Sequence, residues 1–211
     1  GGNADERLAR LRQYVPYFAG LDGPVVDLGC GEGEFLSLLQ DAGVSAWGVD
    51  LEADAVERGK AAGRDVRYGN LFAVLEEVPD GSLAGAFSSQ VVEHLPPETI
   101  APLYELLYRK LGAGAPVVVE TPNPATFATH VQSFWRDPTH IRPVPMPALD
   151  FAARSAGFIS EQTIYTSPTP VDEKLQRIQL EPQDPMLAEL VDRFNTNVAK
   201  LDDLLYGWQD Y

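Results

Sequence analysis

Apolar positions along this chain change their spacing in a repeating order. Leu8, Leu11, Val15 and Phe18 recur at helical spacing and predict an N-terminal helix over residues 4–19. Pro16 inside it predicts a kink or an end. Short apolar runs of strand length follow over 24–28, 44–49, 66–68, 83–89 and 115–120. The last is rich in Val and is expected to be buried on both faces. Between the runs, helices are predicted over 32–42, 52–62, 71–77 and 97–111. Gly43 and Gly63 stand just past two of these as C-cap signals, and Pro97 sits at the start of another. Five alternations of strand and helix predict an α/β fold: a doubly wound, mostly parallel sheet with helices on both faces.

The pattern then changes. Residues 121–147 hold six prolines, at 122, 124, 138, 143, 145 and 147, around a helix-like stretch over 125–134. Connections of this length inside a compact chain are usually functional or disordered. A helix over 147–156 ending at Gly157, a sixth strand over 158–165, a polar loop over 166–185 and a helix over 186–205 complete the reading, taken as one domain over 1–211.

The first strand runs into Asp27-Leu28-Gly29-Cys30-Gly31-Glu32-Gly33. A strand ending in such a turn beneath a helix N-terminus makes a notch of nucleotide size. Glycine lets backbone approach a ligand, and the first helical N–H groups are free to bind it. Asp50 ends the second strand, where an acid can accept hydrogen bonds from ribose hydroxyls. A dinucleotide fingerprint wants a small residue in the third conserved place, whereas here the glycines fall at 29, 31 and 33 and position 34 is Glu. That spacing argues against NAD.

Composition narrows the partners. The chain has 211 residues, 16 basic and 31 acidic, for a net charge of −15. Nucleic-acid phosphates and anionic membranes need basic surface, so neither is expected as partner. No apolar run reaches transmembrane length and no signal-peptide pattern is present, so a cytoplasmic location is expected. Cys30 is the only cysteine; its small size suits the turn, and no intrachain disulfide can form.

Three further segments carry chemistry. Ser88-Ser89-Gln90-Val91-Val92-Glu93-His94-Leu95 follows the fourth strand, so Gln90 should face the crevice at the carboxyl ends of the strands, with Glu93 and His94 just beyond. Glu120-Thr121-Pro122-Asn123-Pro124 ends the fifth; Asn123 could hydrogen-bond a substrate, but an Asn between prolines is more often a turn residue. The Asn-Pro-Pro-aromatic signature of base-modifying enzymes is missing after the fourth strand. Residues 134–143 bring Phe134, Trp135, Arg136, Asp137, His140 and Arg142 together. Aromatics and Arg suit a sugar ring or an anion. His140 can take a proton near neutral pH, and Asp137, three residues earlier, is placed to orient it. His94, His130 and His140 match no metal-ligand spacing, so no metal is expected.

Together these segments resemble bacterial class I S-adenosylmethionine (SAM) methyltransferases found with polysaccharide and O-antigen assembly enzymes. The likeness runs over residues 8–158. It includes Arg12-Gln13-Tyr14, the glycine turn, Gly48-Val49-Asp50, Gln90 through Leu95, Glu120 through Pro124, and Asp137-Pro138-Thr139-His140. The resemblance implies SAM as cofactor and S-adenosylhomocysteine as product. Asp27, Gly29, Cys30, Gly31 and Gly33 would flank the methionine part. Asp50 and Leu51 would hold the ribose, and Asn70 and Leu71 the adenine. Tyr14 would lie over the cofactor and Gln90 beside it. The family usually has Asp where Asn70 stands; Asn keeps an acceptor oxygen. His140, His94, Asp137 and Glu93 are the candidate catalytic groups. The implied reaction is O-methylation of a sugar, glycan or other hydroxylated metabolite. A non-catalytic SAM-binding module and a methyltransferase for aromatic natural products are the alternatives. Such folds usually end in an antiparallel seventh strand, which should be starting at Trp208. Either the chain is cut short there or that edge is built differently.

Overall fold

A computed structural model describes residues 4–211. It contains two compact units, each taken here by itself. The first runs through Thr121 and takes in Pro147–Glu161; the second comprises Pro122–Met146 and Gln162–Tyr211.

The first unit holds α1 (Ala4–Arg12), β1 (Val25–Leu28), α2 (Glu34–Asp41), β2 (Ala46–Asp50), α3 (Ala53–Ala61), β3 (Val66–Tyr68), α4 (Leu71–Glu77), β4 (Gly85–Ser89), α5 (Ile100–Lys110), β5 (Val117–Glu120) and α6 (Met146–Ala156). Its five strands are parallel in the order β3-β2-β1-β4-β5. The chain therefore leaves β1 toward β2 on one side and returns to β4 on the other. In open sheets of this kind ligands bind outside the carboxyl ends of the strands where the order reverses, here β1 and β4.

Packing follows the alternation. β1 is buried along its length, as a central strand covered on both faces must be. On one face Phe18, Phe35 and Phe87 interlock with Tyr14, Leu38 and Leu39. On the other, Val26, Leu28, Trp47 and Val49 meet Leu71, Leu75, Leu103 and Leu107 from α4 and α5. Each such side chain contributes roughly 1.5–3 kcal/mol by burial. β5 departs from expectation: Val117, Val118 and Val119 are only half-buried, because β5 is the edge of the five-stranded sheet.

Element ends correct the sequence reading in two places. α1 stops at Arg12, and a single 3-10 turn, Val15–Tyr17, holds Pro16. Proline has no N–H to continue an α-helix. α2 begins at Glu34, two residues late, because Gly33 takes the left-handed conformation with φ +82°.

In the second unit, a π-helical turn at Thr129–Ser133 and a 3-10 turn at Phe134–Arg136 order part of the proline-rich segment. β6 (Thr166–Pro168) pairs antiparallel with β7 (Trp208–Asp210), and α7 (Pro185–Tyr206) precedes β7. Asp184 caps α7, accepting from the N–H groups of Met186 and Leu187. The strand expected over 158–165 is not formed; the strand lies at 166–168, inside the expected loop. Phe158 is used instead as a plug against Tyr104 and Tyr108 in the first unit. β7 fixes the site of β6 through the pairs Thr166–Asp210 and Pro168–Trp208, a choice that periodicity over 158–165 cannot make. Among the described residues no helix is long and apolar enough to cross a membrane.

Candidate active site

The turn after β1 is built by strand ends and glycines. The N–H groups of Gly29 and Cys30 donate to the Val49 carbonyl at 2.8 and 3.1 Å, tying the turn to β2. Gly31 N–H donates to Asp50 Oδ2 at 2.7 Å, and Glu52 N–H donates to Asp50 Oδ1 at 2.8 Å. Asp50 thus joins the glycine turn to the start of α3. Leu51 beside it is exposed.

The three glycines of the turn all have positive φ, but they serve different purposes. A Cβ at Gly29 would overlap Val91, and one at Gly33 would lie 2.9 Å from Leu36 and 3.0 Å from Val66. Those two are needed for packing. A Cβ at Gly31 would meet nothing within 4 Å and would project into open space. Gly31 is therefore the glycine of the turn that packing does not require, and its positive φ is the reason for it. Gly48, inside β2, matters too: a Cβ there would lie 2.5 Å from Cys30 Sγ. Cys30 is buried, and burial first, then Asp27 and Asp50, push its thiol well above the ordinary range. It fills a gap left by Gly48 and is held as a thiol, which suits packing rather than nucleophilic chemistry.

Asp27 is 3% exposed at the floor of the turn. Burial, then the charges of Asp50 and Glu34, hold its carboxyl well above the usual carboxylate range. Among the described residues no group donates a hydrogen bond to it. Three acids around one turn, one of them buried and lacking a protein cation, form a site suited to a positively charged ligand. A sulfonium and an α-ammonium meet that requirement, so the residues present fit SAM.

Other predicted positions have mixed surroundings. Asn70 Oδ1 accepts from Phe72 N–H at 2.9 Å and Ala73 N–H at 3.4 Å. The oxygen expected to meet adenine is the N-cap of α4. Leu71 is buried in the core beneath it. Tyr14 is buried against Phe87, with ring centroids 5.3 Å apart, just beyond α1. Gln90 leaves β4 with φ +58° and donates its N–H to the Glu120 carbonyl at 2.9 Å. Glu93 is fully buried and accepts from Thr121 Oγ1 at 2.9 Å; His94 follows it in the same 3-10 turn. These groups stand at the carboxyl ends of β4 and β5.

In the second unit, His140 Nδ1 lies 2.6 Å from the Phe134 carbonyl. A carbonyl only accepts, so Nδ1 carries the proton and Nε2 is the basic nitrogen. The imidazole also packs on the Phe134 ring, with centroids 4.4 Å apart. Asp137 Oδ1 accepts from Thr139 N–H at 2.8 Å and Thr139 Oγ1 at 2.6 Å. It shapes the turn that carries His140. Asn123 is a turn residue as expected, its Oδ1 accepting from Ala125 N–H and its amide donating to the Trp208 carbonyl.

Sequence reasoning overlooked Gly48, the Phe134 carbonyl and Glu120. A glycine inside an apolar strand is a usable signal of close approach. An acid closing β5, as Asp50 closes β2, is another. A backbone carbonyl leaves no signal.

Comparison with known proteins agrees with this geometry. Residues 2–162 match the family described as "Methyltransferase domain". A SAM-dependent methyltransferase from Archaeoglobus fulgidus superposes with TM-score 0.92 at 33% identity, covering 99% of this chain and 92% of that one. A probable SAM-dependent methyltransferase of Mycolicibacterium smegmatis is 32% identical over 171 residues, 77% of this chain and 64% of that protein. This chain therefore spans a little under two thirds of that relative's length. Geranyl diphosphate C-methyltransferase from Streptomyces coelicolor, solved with S-adenosylhomocysteine, shares the fold alone: TM-score 0.56, 18% identity, 72% of this chain and 60% of that one. With a parallel sheet, a glycine turn closed by Asp50 and a match over most of its length, the chain belongs to the class I SAM-dependent methyltransferase family, whose cofactor is SAM.

Proposed function

We propose that this protein is a SAM-dependent O-methyltransferase acting on a sugar, glycan or other hydroxylated small molecule, with the chain working as one methyltransferase domain. The observation that carries the O-directed reading is the 2.6 Å contact of His140 Nδ1 with the Phe134 carbonyl, which orients the ring. A hydroxyl is a weak nucleophile, and a pre-oriented imidazole with a basic Nε2 answers that need.

Bound SAM supplies an electrophilic methyl group on a sulfonium sulfur. Gly31 would pass close to the methionine part, Asp50 would place a carboxylate beside it, and a cationic ligand there would favour the ionised form of Asp27. Asp50 and Leu51 serve the ribose, Asn70 and Leu71 border the adenine, and Tyr14 and Gln90 bound the pocket. His140 Nε2 would accept the proton that the acceptor hydroxyl gives up. Asp137 shapes the turn that carries His140. Glu93 and His94 form the alternative base set at the end of β4.

The test is methyl transfer from labelled SAM to a panel of free sugars, oligosaccharides, polyols and phenolic compounds. The reading expects label on a hydroxyl of the carbohydrate or polyol group. Label only on phenolic acceptors would replace it with the aromatic natural-product reading. Tight SAM binding with no transfer to any acceptor would favour a non-catalytic SAM-binding module.

A further inference from the structure

Glu120 closes β5 with its side chain 1% exposed, a carboxylate buried at the edge of the crevice. Ser89 Oγ donates to its Oε2 at 3.1 Å, and Gln90 Nε2 donates to its Oε1 at 3.4 Å. The Arg10 guanidinium stands 3.5 Å from the same Oε1. The main chain adds the bond from Gln90 N–H to the Glu120 carbonyl. Gln90 is therefore gripped at both backbone and side chain by one residue of the neighbouring strand. It needs that grip, because φ +58° is a conformation that side-chain-bearing residues avoid.

Arg10 lies in the last turn of α1. One turn earlier, Arg7 pairs with Glu34 at the start of α2. α2 follows β1, and β5 stands two strands away in the sheet, beyond β4. α1 is thus fastened at one end of its ion-pair stripe beside the glycine turn and at the other beside β5. The exposed Arg7 end is screened by solvent, whereas the Glu120 end is buried and its charge is felt more strongly.

We propose that Glu120 is a positioning residue for the cofactor: its buried carboxylate locks Arg10 and Gln90 into one network, so that α1 and the crevice edge close on the ligand together. The proposal rests on the SAM reading above. Glu120 touches no reacting atom; it acts through Arg10, which holds α1, and through Gln90, which lines the crevice.

The test is a double-mutant cycle on S-adenosylhomocysteine affinity by calorimetry, with Arg10→Ala, Glu120→Gln and the double variant in the full chain. Each single variant should weaken binding about fivefold, at the low end of couplings between linked groups, and the double variant no further. Arg10→Lys should restore most of the affinity. Hydrogen exchange gives a readout without turnover. The α1 amides should exchange faster in ligand-free Arg10→Ala and Glu120→Gln than in ligand-free wild type. The surface variant Arg109→Ala should leave affinity unchanged. Additive losses in the cycle, wild-type affinity in Arg10→Ala, or an equal loss in Arg109→Ala would each overturn the proposal. A wild-type protein that binds neither SAM nor S-adenosylhomocysteine would remove the cofactor reading itself, and the proposal with it.

Discussion

Gly31 and Gly48 offer a paired test, because the structure assigns them opposite purposes. Alanine at Gly31 must adopt φ +54°, which costs roughly 1–2 kcal/mol for an L-residue. Reduced freedom of the unfolded chain returns about 0.4–1 kcal/mol. The net loss is about 1 kcal/mol, or ~2–4 °C in Tm for a chain of this size. The new methyl meets no protein atom within 4 Å, and on the proposed SAM reading it would project toward the cofactor. Alanine at Gly48 has no left-handed strain, but its methyl would lie 2.5 and 2.6 Å from Cys30 Sγ and Cβ and 3.3 Å from the Asp27 carbonyl. Overpacking of this kind costs typically 1–3 kcal/mol. Gly31→Ala should therefore lose at least tenfold in SAM affinity, ~1.4 kcal/mol, with a small change in Tm. Gly48→Ala should lose more stability than Gly31→Ala. The assay is calorimetric titration with SAM beside thermal unfolding of both variants. Wild-type affinity in Gly31→Ala, or a Tm loss in Gly31→Ala exceeding that in Gly48→Ala, would refute the assignment.

The remaining predictions concern charge and proton transfer. Asp50→Ala removes the carboxylate that accepts from Gly31 and Glu52, and should weaken SAM binding by roughly 1.5–3 kcal/mol; titration showing unchanged affinity would remove Asp50 from the site. Asp27 has its folded-state carboxyl raised by burial, so its contribution favours the fold fully below the ordinary carboxylate range. That contribution is lost as pH rises through the raised value. Urea unfolding from acid to neutral pH should show this decline in the wild type and a flatter profile in Asp27→Asn; a steeper decline in the variant would contradict it. If His140 is the base, His140→Ala should lower kcat by roughly 10²–10⁴-fold with SAM affinity little changed, and a large loss for His94→Ala with none for His140→Ala would move the base to the end of β4. At low salt, filter binding should detect no tight RNA or DNA complex, since a net charge of −15 opposes phosphate contacts.

The chain order of elements was legible because each local signal agreed with the next. Alternating apolar runs and helical stripes identify the five parallel strands and the helices between them. The glycine turn and Asp50 were legible for the same reason: a bare backbone and an acid at a strand end are local requirements. Sequence alone also separated SAM from NAD, through Glu34 in place of a small residue. Tertiary structure decided what depends on distant partners. β5 became half-buried because it is the edge strand of the five-stranded sheet. The strand expected over 158–165 moved to Thr166–Pro168 because Trp208–Asp210, more than forty positions away, set the register. Asn70 also caps α4, and Asp137 also holds Thr139, bonds that depend on which backbone N–H groups the fold brings within reach. The partner of His140 is a backbone carbonyl, which every residue carries and no sequence marks. Periodicity records which face of an element is buried; it does not record which neighbour arrives there, and hydrogen-bond partners are set by that neighbour.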